Sequence, residues 1–128
     1  MPDNNANNLT EFEIDLSYLS DVAGGSSEFM IEMIDMFLDQ TPEYFEEIDQ
    51  SINDLDWSNV ATLAHKIKPT LAFMGVDFAR IEMAELERKA KNLDSVETIR
   101  PMFDNLMNLS KILYIKLEEA KKRLLTEG

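Results

Sequence analysis

The chain of 128 residues is 45% apolar and has no cysteine, which allows one domain with a core and excludes a disulfide framework, a thiolate metal site and a thiol nucleophile. Its net charge of −13 argues against nucleic acid and anionic lipid as partners, since both are held by clustered lysine and arginine. The apolar runs are broken by acids, as in FMIEMIDMFL, and MPDNNANNLT lacks the basic and apolar regions of a signal peptide, so no segment is expected to span or cross a membrane.

Strand patterns are absent, and the chain reads as all-α. Residues 1–10 read as a flexible polar tail, and residues 11–128 as one helical domain. A short helix is expected over FEIDLSYLSDV, ended by Gly24 and Gly25, with Ser26 or Ser27 capping the next. That second helix carries Met30, Ile34, Phe37, Ile48, Ile52 and Leu55 on one stripe, and Pro42 is expected to bend it partway. A third helix starts near Asp56, buries Val60, Leu63, Ala64, Ile67, Leu71 and Met74, and ends at Gly75. Asp77 is placed to cap a fourth, with Ala79, Met83, Leu86, Ala90 and Leu93 inward. A last helix from about Ser95, with Pro101 as a bend point, carries Val96, Ile99, Phe103, Leu106, Leu113, Leu117, Ala120 and Leu124. Four substantial amphipathic helices with short connections imply an antiparallel four-helix bundle, covered at one end by the short first helix.

Charge is unevenly spread along this pattern. Residues 1–60 contain 15 acidic side chains and no lysine or arginine, whereas residues 61–92 contain 6 basic and 4 acidic ones. Solvated helix faces account for the acidic half. The relief of negative charge falls around the only histidine, His65.

On a helical wheel with Val60 at zero, core positions fall within roughly 60° and His65 lies at about 140°, so the imidazole faces away from the core. Ser58, Ala61, Thr62, Pro69 and Ala72 share its side, and none is long enough to stand over the ring. Lys68 is three residues on, at helical-neighbour spacing. The antiparallel fourth helix is expected to bring Ala84, Glu87, Arg88 and Lys91 alongside, and to give the ring cations on two sides. Phe73 lies off the core stripe, as an exposed docking contact or, if Pro69 bends the helix, rotated inward. An imidazole with an ordinary pKa of about 6.5 offers an unprotonated nitrogen to phosphorus, and nearby cations suit a bound phosphoryl group. No Gly-rich phosphate loop or acidic Mg²⁺ cluster is present for taking that group from ATP, so no kinase activity of its own is expected.

The stretch AHKIKPTLAFMG resembles the signature of histidine-containing phosphotransfer (HPt) domains through Ala64, His65, Ile67, Lys68 and Gly75, followed by Leu86-Glu87. The likeness extends more loosely over residues 14–125. It implies a cytoplasmic phosphocarrier in a two-component phosphorelay, monomeric, with receiver domains and a hybrid histidine kinase as partners. It also implies no cofactor of its own, and Mg²⁺ supplied by the receiver. His65 is then the phosphoacceptor and Lys68 the phosphate-facing cation. Gly75 carries over as the helix end, Lys91 and Arg88 are candidates near the phosphohistidine, and Glu87 stands where a neutral amide is usual. Pro69 replaces the glycine that lets a receiver approach closely, which bears on partner choice and transfer rate.

Three rivals remain from the sequence. A histidine kinase dimerisation helix would want an acid after the histidine, where Lys66 stands. A metal enzyme in a bundle would want a Glu where Thr62 stands. An adaptor bundle that binds partners without being phosphorylated is disfavoured by the presence of both His65 and Lys68. Met1 and the polar tail favour a free-standing protein.

Overall fold

The computed structural model describes residues 12–127; the tail expected over residues 1–10 lies outside the described residues. Among the described residues, five α-helices follow in order: α1 Ser17–Val22, α2 Ser27–Asn53, α3 Trp57–Phe73, α4 Asp77–Asn92 and α5 Ile99–Glu127, the last preceded by a 3-10 turn at Val96–Thr98. Among the described residues there is no strand. Helices α2 to α5 form an antiparallel bundle whose centre holds Ile34, Ile48, Val60, Ile67, Leu71, Met83, Leu86, Phe103 and Leu113, all essentially inaccessible to water. Burying such side chains contributes about 1.5–3 kcal/mol each, which is why the apolar stripes decide which faces meet. Among the described residues, no helix is long and apolar enough to cross a membrane.

Local chemistry sets the helix ends. The Ser26 hydroxyl accepts from the Phe29 amide at 3.2 Å, so Ser26 rather than Ser27 caps α2. The Asp56 carboxylate accepts from the Asn59 amide at 3.2 Å and caps α3. Asp77 does not cap α4: Val76 holds the cap position, and Asp77 is the first helical residue, its carboxylate paired with Arg80 at 2.7 Å. Pro69 and Pro42 both lie inside continuous helices, each leaving the carbonyl four residues earlier without its helical amide. Pro101 falls in the first turn of α5, where amides have no intrahelical partner.

Four helix ends close through a residue in the left-handed region: Gly24, Leu55, Gly75 and Leu93, with φ of 63°, 58°, 79° and 54°. At each, the amide one residue further on reaches back five positions, as in Val76 to Leu71 at 3.1 Å and Asp94 to Lys89 at 2.9 Å. Leu55 and Leu93 depart here from the expected core stripes. The cap turns each side chain off the helical wheel, and they are 69% and 67% exposed. A side chain in this conformation costs roughly 1–2 kcal/mol relative to glycine.

Helices α2 and α5, of 27 and 29 residues, are about 40 Å long, and α3 and α4, of 17 and 16 residues, about 25 Å. The four align at the end that carries the α2–α3 and α4–α5 turns, so the long pair overhangs at the other, where Lys121 of α5 pairs with Asp35 of α2 at 2.6 Å. Residues 12–16 and α1 fill that step. Phe12 is buried edge-on against Phe78 with the Lys116 ammonium over its ring, and the Asp15 amide donates to the Gly75 carbonyl at 3.3 Å. Phe73 is half-buried against the core and stacks on Tyr18 of α1 at 5.1 Å, so it is not the open docking contact considered from the sequence.

A Cβ at Gly75 would overlap the backbone of Asp15, whereas one at Gly24 would meet open space. Gly24→Ala is therefore expected to lose about 1 kcal/mol to backbone strain alone, and Gly75→Ala about 2–4 kcal/mol, measured by urea unfolding. Equal losses would show that the contact with Asp15 contributes nothing.

Candidate functional site

The α3–α4 turn fixes how the two helices face each other. His65 lies ten residues before Gly75, and Glu87 lies ten after Asp77, so the two meet at one level of the bundle. The Glu87 carboxylate stands 3.1 Å from His65 Nδ1 through Oε2, and 2.6 Å from Lys68 Nζ through Oε1. The His65 side chain is 71% exposed, while Glu87 is only 16% exposed. The imidazole thus presents its far edge to solvent and is held from beneath by a carboxylate.

Burial pushes the Glu87 carboxyl upward, but the hydrogen bond and charge of Lys68, with a smaller part from His65, outweigh it and hold the group below the usual carboxylate range. Glu87 is therefore ionised at neutral pH and can only accept at this contact, which favours the proton on Nδ1; the neutral ring then carries its lone pair on Nε2, on the edge away from Glu87. Because its folded value is depressed, the pairing contributes stability above the ordinary carboxylate range that is lost as pH falls through the depressed value.

Beside the ring runs an open groove of about 650 Å³ between the first half of α3 and the second half of α4. Ser58, Ala61 and Thr62 line it from α3 and Ala90 from α4, with Lys66, Lys91 and Leu93 exposed around it. The predicted site residues divide accordingly. Ala61, Thr62, Glu87 and Lys91 share the groove with His65, whereas Pro69, Ala72 and Phe73 lie along α3 toward Gly75, outside it.

Arg88 does not join them. Its guanidinium is engaged by Glu85 at 2.7 Å and Asp94 at 3.1 Å, and these two acids, Glu85 first, hold it more firmly protonated. The arrangement with cations on two sides of a free ring is corrected in the same way: the charged group touching the imidazole is a carboxylate, and Lys68 reaches the site through it. Sequence reasoning missed Lys66, Ala90 and Leu93. Lys66 follows His65 directly, a spacing at which helical side chains diverge, and Leu93 lies past the end of the helix on which the wheel was drawn. Among the described residues, no group of histidine, aspartate and glutamate could hold a metal ion.

A family model for the Hpt domain matches residues 32–120. A solved structure similar to this chain is the HPT domain of a sensor hybrid histidine kinase from Shewanella, with a TM-score of 0.66 and 24% sequence identity, over 90% of this chain and 95% of that one. That likeness is one of fold. No curated protein matches the chain.

With a single histidine, ¹⁵N NMR reads this site without ambiguity. Above the imidazole titration range, the native ring is expected as the Nδ1–H tautomer, and Glu87→Ala should shift it toward Nε2–H. An unchanged tautomer in the variant would remove Glu87 from the control of the ring.

Proposed function

The chain belongs to the Hpt domain family, whose role is histidine phosphotransfer in a phosphorelay, and on that premise we propose that His65 is its phosphoacceptor. It takes a phosphoryl group from the aspartate of one receiver domain and passes it to the aspartate of another, with a hybrid histidine kinase upstream. The observation that carries this reading is the exposed imidazole anchored through Nδ1 on the Glu87 carboxylate.

The chemistry follows from that anchor. The Nε2 lone pair attacks phosphorus, the bond from phosphorus to the aspartyl oxygen breaks, and its electron pair returns to the receiver carboxylate. The ring becomes an N-phosphorylated imidazolium that keeps its Nδ1 proton, and Glu87 offsets the new positive charge. In the reverse step a second aspartate attacks phosphorus, and the ring leaves as the neutral Nδ1–H imidazole. No proton enters or leaves in either direction. Glu87 acts here as a positioning residue, and Lys68, held on the same carboxylate, offsets the phosphoryl charge. Mg²⁺ comes with the receiver. The cysteine-free composition fits a reducing cytoplasm.

Lys66 and Lys91 stand on the groove of a chain whose net charge is −13, which suits approach by the acidic phosphorylation pocket of a receiver. Raising ionic strength should therefore slow transfer, and a rate independent of salt would remove electrostatic steering from the account.

The deciding experiment offers the protein and its His65→Gln variant to phosphorylated receiver domains with Mg²⁺, following label that survives base and is lost in acid. The native chain should be labelled and the variant not. Lys68→Ala should slow labelling on the order of tenfold, the site being only partly shielded from water. A folded native chain that no receiver labels would instead indicate an adaptor bundle.

A further inference from the structure

The four left-handed caps are not alike. At the end of the bundle where α1 and the α3–α4 turn lie, the capping residue is glycine, Gly24 and Gly75; at the opposite end it is leucine in both turns, Leu55 and Leu93. Leu93 is the one of the pair that lines the groove beside His65. Its strained backbone is not offset by burial, since the side chain is 67% exposed. Nor is the turn loose. The Asp94 amide bonds the Lys89 carbonyl at 2.9 Å, Arg88 and the Ser95 hydroxyl both bond the Asp94 carboxylate, and the Lys89 ammonium donates to the Thr98 hydroxyl at 2.6 Å. Ser95 is itself left-handed, at φ 53°. An apolar side chain is thus fixed in the open by a turn that would be more relaxed without it. Strain kept in place by surrounding bonds is the kind that accompanies a function.

We propose that Leu93 is a specificity-determining contact for the receiver domain, an apolar anchor at the end of the groove that seats the partner so that its aspartate faces His65. This rests on the phosphotransfer reading and adds to it where the partner is recognised. The occupant is set by charge: the groove offers Lys66 and Lys91 to a partner whose phosphorylation pocket is acidic, and Leu93 gives the same partner an apolar foothold beyond those charges. Chemistry at mid-helix and recognition at the turn are then carried by different residues.

The test uses the full chain with Leu93→Gly, a change that relieves the backbone and so keeps the fold, and Leu55→Gly as the matching change outside the groove. Each protein is first phosphorylated with phosphoramidate, a small donor that gives up its phosphoryl group to the imidazole, loses ammonia and needs no docking surface. Transfer to a receiver is then followed at increasing receiver concentration. Leu93→Gly is expected to unfold at no lower temperature than the native chain and to label with phosphoramidate at the native rate. Its half-saturating receiver concentration should rise about 5- to 30-fold, with the saturated rate within about twofold of native. Leu55→Gly should leave half-saturation unchanged. Native half-saturation in Leu93→Gly with every receiver the native chain serves would overturn the proposal, as would an equal rise in Leu55→Gly. A native chain that labels with phosphoramidate yet exchanges with no receiver would overturn the phosphotransfer reading itself, and this proposal with it.

Discussion

At Gly75 the chain reverses within a few residues while the backbone of Asp15 lies where a Cβ would stand, so this turn admits only glycine on two separate grounds, the left-handed backbone and the lack of space. The reversal fixes the register of α3 against α4. With that register set, Leu71, Met83 and Leu86 are buried together in the core, and on the outer edge of the same helix pair Glu87 comes to the level of His65. A slip of one residue in α4 would rotate Glu87 by about 100° and separate the carboxylate from both the ring and Lys68. The site is in this sense a by-product of the turn.

Electrostatics at the site runs opposite to the chain as a whole. Most of the acidic side chains are on faces with water around them, where isolated charges and ion pairs contribute little. Arg100 and Lys121 bridge from α5 to Asp49 and Asp35 of α2. Glu87 differs in being largely covered, and a covered carboxylate needs partners. Lys68 supplies one and the His65 N–H another, so the same two contacts that satisfy Glu87 also orient the ring. An acid at this place binds the lysine and the imidazole into one unit.

The periodic stripes made most of the fold legible: every residue assigned to the inner face of α3 is buried, because a helix of regular pitch carries its apolar side chains to one side. The exceptions are instructive. Leu55 and Leu93 fall inward only if the wheel is extended two residues and one residue, respectively, past a helix that ends in a left-handed turn. The sequence leaves Phe73 between an exposed contact and an inward side chain, because its cover, Tyr18, comes from a distant part of the chain. Position on α4 points Arg88 toward the histidine, but spacing gives no account of competing partners, and Glu85 and Asp94 engage it. The outward direction of His65 and the level of Glu87 beside it are readable from the sequence; which of Glu87, Arg88 and Lys91 touches the ring is not, because spacing does not resolve side-chain pairing.

The overhang of α2 and α5 bears on how such a domain can be tethered. Residue 12 lies against the start of α4, and the far end of α5 is at the same end of the bundle, opposite the turns that carry Leu55 and Leu93. Both ends of the described chain therefore lie at the pole away from those turns. The groove beside His65, on the halves of α3 and α4 nearer those turns, is therefore covered by neither end of the described chain.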